Sequence, residues 1–222
     1  WYIIGAISVA CLPLSLWAAA RLSVPAQRNT AVGGIKLRLI WKELAGYIGF
    51  AMGYIVYLTF LSAWMTDQQA PALLISAVWI IMGVALIASP FVWRGVLARH
   101  ASGKPLAMIL TGIAVGSALP LVLPAGGAVV ISAIVFGLCV FMAPSAITSF
   151  IRQNLPAESW AAAMSLFTVV FAVAQTAGPF AAGALGDLTG NIGSSLLVAA
   201  AILLMGAAVV AFQKPLTAQD PA

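Results

Sequence analysis

Seven long apolar stretches, separated by short connectors, govern what this chain can fold into. They run over about 1–20, 44–65, 72–93, 106–123, 128–151, 160–185 and 194–212. Each approaches or exceeds the roughly 18–20 residues that a helix needs to cross the hydrocarbon core of a bilayer. They are too long for barrel strands, and none alternates with a period of two, so helices are expected throughout. Composition agrees: 63% of residues are hydrophobic and only 7% charged. A soluble domain carries about 25% charged residues and could not hide this much apolar surface from water. The sequence therefore predicts an all-α integral membrane protein.

The connectors carry a second, independent pattern. Arg21, Arg28, Lys36, Arg38 and Lys42 fall between the first and second stretches. Arg94, Arg99 and Lys104 fall between the third and fourth, Arg152 between the fifth and sixth, and Lys214 in the tail. The intervening connectors hold no Lys or Arg, and carry Asp67 and Asp187 instead. Every basic residue is thus expected on one side of the membrane if all seven stretches span it. Basic loops mark the cytoplasmic side, which places the C-terminus inside. The net charge of +5 is explained by this topology, and no nucleic-acid partner is expected.

The first stretch lacks a basic leader and a small-residue cleavage site, so it reads as a transmembrane helix rather than a signal peptide. Since it opens inside an apolar run without a Met, the chain is expected to be a fragment. The expected domains are a transmembrane helix over 1–20, a cytoplasmic linker over 21–43, a six-helix bundle over 44–213 and a cytoplasmic tail over 214–222. Within the linker, Ile35–Lys42 could form an interfacial helix. Cys11 and Cys139 lie in apolar runs, with no disulfide framework or metal-ligand spacing. No catalytic constellation, metal site or cofactor motif is found, so an enzyme is not expected. A seven-helix receptor or sensor, or a membrane scaffold, remains the alternative to a transporter.

Two motifs point to a family. Gly95-Val-Leu-Ala-Arg99-His-Ala-Ser-Gly103-Lys104 resembles the Gly-x-Leu-x-Asp-Arg-x-Gly-Arg-Lys loop of the major facilitator superfamily (MFS). Arg99 stands at the Asp position, however, and Gly103 falls one place late. Gly95, Arg99, Gly103 and Lys104 are candidates for a gating loop on this likeness, and the topology rule alone would also account for the basic residues. The stretch Gln175-Thr-Ala-Gly178-Pro179, with Gly183 and Asp187-Leu-Thr-Gly190, resembles helix eleven of the same superfamily. Together with Leu155-Pro-Ala-Glu158, it is similar to the YbfB/YjiJ branch.

The whole layout resembles the C-terminal half of such a transporter, preceded by its sixth helix. That resemblance implies a secondary transporter that moves a small organic solute by alternating access in a bacterial inner (plasma) membrane. Its partners would be lipid, solute and the N-terminal half of the same protein. It also implies that helices nine and twelve face lipid while seven, eight, ten and eleven line or support the cavity.

The residues offer cavity candidates. Tyr47, Phe50, Tyr54, Tyr57 and Trp64 share one helical face by their spacing. Tyr54 and Tyr57 would suit an amphipathic solute, or would simply pack. Ser145, Thr148 and Gln175 are polar positions inside apolar runs. Gln175 must meet protein or water, through solute or through an interhelical hydrogen bond. Gly178 and Gly183 are candidate packing positions. Pro144 and Pro179 can kink their helices, as hinges or as static bends. No ionisable residue lies at the centre of a run, so a proton-coupling carboxylate is expected in the other half.

Overall fold

Lipid offers the backbone no hydrogen-bonding partners, so a chain this apolar must satisfy its N–H and C=O groups internally. The computed structural model does so with helices alone, and no strand occurs among the described residues, 2–21, 36–123 and 126–216. Helix α1 covers Tyr2–Arg21 and falls in a unit of its own, Trp1–Ala31. Within it, the Arg21 guanidinium lies 5.3 Å from the Trp17 ring.

The second unit holds α2 (Leu37–Asp67), α3 (Ala72–Arg99), α4 (Lys104–Val122), α5 (Gly126–Cys139), α6 (Met142–Asn154), α7 (Trp160–Thr189) and α8 (Ile192–Ala211). Helices α5 and α6 together make one span, so six spans are long and apolar enough to cross a membrane among the described residues. The all-α, multi-pass membrane architecture read from the sequence is the one observed.

Helix α2 sits at the centre, packed against α8, α7, α4 and α6. Its glycine face meets α8. A Cβ at Gly46 would come 2.8 Å from Val210 Cβ, and one at Gly53 would come 2.5 Å from Leu203 Cγ. Small residues let two membrane helices approach until their backbones nearly touch. The aromatic face of α2 turns instead to α7. Around the bundle, α8 packs on α4, α4 on α5, and α5 on α3. Trp93 of α3 ties that last pair by donating its indole N–H to the Leu138 carbonyl, 2.7 Å away.

Two boundaries differ from those expected. Helix α2 begins at Leu37, so Leu37–Lys42 forms its first turns rather than a separate interfacial helix; Ile35 lies outside the described residues. Its 31 residues make a rod of about 46 Å, against a hydrocarbon thickness of about 30 Å. A helix of that length can cross the hydrocarbon and still carry its charged first turns beyond it. The fifth span is interrupted at Val140–Phe141. Pro144 occupies the first turn of α6, where its missing N–H leaves the Val140 carbonyl without its helical donor. Pro90, Pro120 and Pro179 all lie inside continuous helices. At the other end, α7 stops at Gly190, in the left-handed conformation with φ +64°. Asn191 then caps α8 by accepting the Gly193 N–H at 2.8 Å.

Candidate functional site: an aromatic and amide cluster between α2 and α7

The spacing of Tyr47, Phe50 and Tyr54 puts their rings in a column along α2, with Phe50 and Tyr54 stacked at 4.5 Å. Phe171 of α7 inserts beside that column, 5.3 Å from Tyr47, 5.9 Å from Phe50 and 6.0 Å from Tyr54. Offset ring stacking of this kind adds to area burial and fixes the helix pair in register. At the top of the column, the Tyr54 hydroxyl donates to Gln175 Oε1 at 2.5 Å. Gln175 thus makes the interhelical hydrogen bond that its position required, and it remains half-buried.

One turn on, Tyr57 points elsewhere. It is fully buried, stacks on Phe136 at 4.2 Å and meets Ser132 Oγ at 2.6 Å. Ser132 spends its own proton on the Gly116 carbonyl, so the tyrosine is the donor. This is a locked polar network linking α2, α5 and α4, and it leaves the Tyr57 hydroxyl no free bonding capacity on an open surface.

Ser145 and Thr148 lie in a shallow groove of about 480 Å³ along α6, with Pro144, Ser149, Arg152 and Gln153. Thr148 donates back to the Pro144 carbonyl at 2.9 Å. Ser149 and Gln153 both donate to the Leu97 carbonyl at the end of α3. The structure therefore joins Tyr54 with Gln175, and Ser145 with Thr148, in separate places. Helix α6 packs on both α2 and α7.

The uncovered face of α7 connects these places in character. Ser165, Thr168, Ala172 and Thr176 are exposed at helical spacing. Each hydroxyl is satisfied by a carbonyl one turn back on its own helix. Such a stripe tolerates water, solute or a close neighbouring helix.

The candidate glycines divide. A Cβ at Gly178 would come 2.6 Å from the Met52 carbonyl oxygen, so this residue lets α7 lie on α2. Gly183 has no neighbour within 4 Å of such a Cβ, and the expectation of close packing there fails. The helices have diverged at that level to leave a cavity of about 760 Å³ lined by Phe60, Trp64, Asp67, Gly183, Asp187 and Asn191, among others. A second cavity of about 530 Å³ opens nearby between the ends of α2, α4 and α8. Both lie at the end of the bundle away from the basic connectors.

At the basic end, Gly95 is exposed with open space around it, and Arg99 and Lys104 are exposed. Gly103 alone of the loop candidates is buried, and its N–H donates to the Gln213 carbonyl at 3.0 Å. Its neighbours include the Glu43 carboxyl, which is 1% exposed. In the sequence Glu43 follows Lys42 at the edge of an apolar run, and nothing local marks its burial. Sequence reasoning also missed Phe171, Ser132 and Gln213, whose partners are far away along the chain.

A protein-family model described as an uncharacterised MFS-type transporter, YbfB, matches residues 1–211. The chain belongs to this family. Among curated proteins, no sequence match is found. Membership makes the chain a multi-pass membrane transporter, whose medium is the lipid bilayer and whose cargo is a small solute. The receptor and scaffold alternatives are not favoured. The residues of this transporter fit that role in one respect above all. Among the described residues of α2 and α7, Tyr54, Gln175 and the Ser165, Thr168 and Thr176 hydroxyls give the interface and the uncovered face of α7 the functional groups of a binding surface.

Proposed function

We propose that this transporter carries a small organic solute by alternating access, and that α2, α6 and α7 supply its share of the solute cavity. The observation that carries the reading is the Tyr54–Gln175 hydrogen bond beside the Phe50–Phe171 stack. Flat apolar rings joined to a half-buried amide suit a molecule with both apolar and polar parts. Ser145 and Thr148 extend the surface along α6, and Tyr57 braces it from behind through Ser132. The exposed hydroxyl stripe of α7 meets a second six-helix bundle, the N-terminal half of the same protein, across the cavity.

The break at Val140–Phe141 and Pro144 supports a bending point in the span that carries Ser145 and Thr148. Interrupted helices at the level of the binding site are a recurring device in alternating-access carriers. Pro179 and Gly178 would hold α7 in its approach to α2 during the same movement. The Gly95–Lys104 segment acts at the basic end as part of a gate. That end is cytoplasmic by the charge rule, with the tail inside and the membrane a bacterial inner membrane. The proposed division is a helix over 1–20 from the preceding half, a linker that ends where α2 begins at Leu37, the bundle from there to 213 and the tail over 214–222.

The test is flux. Full-length protein in proteoliposomes is screened for uptake and efflux of small organic solutes, with and without a pH gradient. Saturable flux of one solute class, weakened by Gln175→Leu, supports the reading. Flux that survives Gln175→Leu and Tyr54→Phe unchanged removes these residues from the cavity.

A further inference from the structure

Glu43 and Gln213 present a chemical problem that the transport reading does not use. The Gln213 amide is oriented by its nitrogen, which donates to the Leu39 carbonyl at 3.0 Å and to the Lys214 carbonyl at 2.9 Å. Turning the amide over would set its oxygen against two carbonyls, so Oε1 must be an acceptor. That oxygen is buried and meets no donor among the described residues, and the same is true of Glu43 Oε2. The two side chains are 1% and 5% exposed.

They flank the same turn. A Cβ placed on Gly103 would come 2.9 Å from Glu43 Oε2 and 2.7 Å from Gln213 Cβ. The Leu39 carbonyl that receives the Gln213 amide lies one helical turn before Glu43. The nearby cations do not serve the carboxyl. Lys42 Nζ donates to the Phe212 carbonyl at 3.1 Å, and Lys36, Arg38, Lys104 and Lys214 are exposed. Two buried acceptor oxygens on side chains that border the same glycine thus have no donor, a condition that buried polar groups avoid unless something positive satisfies them.

We propose that Glu43 and Gln213 bind one small cation, a proton or Na+, between Glu43 Oε2 and Gln213 Oε1. A proton on Glu43 turns its carboxyl into a donor to the amide oxygen. Na+ leaves the carboxyl ionised and accepts both oxygens as ligands, in keeping with its preference for hard oxygen donors. Either way the cation holds down the segment after α8. That segment is already tied to three parts of the bundle: Gln213 to α2, the Gly103 N–H to the Gln213 carbonyl, and the Leu216 N–H to Asn154 Oδ1 at 2.7 Å. Loss of the cation sets two acceptors against each other and loosens the strap, which couples cation release to opening at the basic end. The proposal does not depend on which solute is carried.

Infrared difference spectra of full-length protein in lipid nanodiscs test it without any solute. Wild type is compared with Glu43→Gln at neutral pH, in Na+ and in choline. A protonated site gives a carboxylic-acid carbonyl band in wild type that is lost in Glu43→Gln, is the same in both salts, and shifts to higher frequency in Gln213→Leu. A Na+ site gives a carboxylate band that differs between Na+ and choline in wild type and not in Glu43→Gln. If Glu43→Gln does not fold, the Gln213→Leu shift, or the loss of the salt effect in Gln213→Leu, carries the test. An ionised Glu43 blind to Na+, or a signal blind to Gln213→Leu, overturns the proposal.

Discussion

A methyl group on Gly103 would collide with the Val210 carbonyl oxygen and press on Gln213 Cβ and Glu43 Oε2. The same group on Gly183 would meet nothing within 4 Å. Gly103→Ala is therefore expected to lower stability by about 1–3 kcal/mol, the usual cost of overpacking. Gly183→Ala should stay within about 0.5 kcal/mol of wild type. Thermal unfolding in detergent compares them directly. Tyr54 and Gln175 form a contacting pair, so their effects should not add. Tyr54→Phe and Gln175→Leu are each expected to weaken solute affinity roughly fivefold, about 1 kcal/mol for one hydrogen bond. The double variant should lose little more than either single one, as a double-mutant cycle on apparent KM will show. Only part of this was legible beforehand. Spacing put Tyr54 and Tyr57 on one face of α2, but periodicity names a face and not its neighbour. Tyr54 found Gln175 on α7, whereas Tyr57 found Ser132 on α5.

At the scale of elements, the apolar runs located the spans because hydropathy and length are local properties. The interruption of the fifth span was legible as a proline, Pro144, though not as the choice among Pro90, Pro120 and Pro144. Those other prolines sit where the helix carries on through them. Pro144→Ala restores a donor for the Val140 carbonyl. The expected outcome is a continuous helix, read as slower amide exchange across residues 138–146, together with slower transport turnover. The start of α2 was misread for an opposite reason. Lys36, Arg38 and Lys42 looked like a connector, yet a helix at the membrane edge can carry charge on its water-facing side while its other side packs. Glu43 shows the cost of that misreading. Its carboxyl borders Gly103, as does Gln213, whose amide binds Leu39 from 174 residues away, and no local pattern encodes such a meeting.

At the scale of the whole molecule, the separation of basic from non-basic connectors and the six packed spans describe one object. Every Lys and Arg in the described part of the bundle lies at a single end, and the cavities of about 530 and 760 Å³ lie at the other. Membrane-impermeant thiol labelling should therefore modify Ser102→Cys only from the cytoplasm and Gly126→Cys only from outside, in a background with Cys11 replaced by Ala. Labelling of both from one side would break the topology. The half-buried Ser145 and Thr148 face of α6 and the exposed face of α7 pose the deeper question, because such a helix face can border lipid or water. The most direct measurement is sided labelling of Ser145→Cys and Thr176→Cys in full-length protein in oriented vesicles. A solute pathway predicts that the impermeant reagent reaches both cysteines from either side of the membrane and that transported solute protects them. Reaction with a lipid-soluble thiol reagent alone, from neither aqueous side, would show that these faces border the bilayer and would contradict the account.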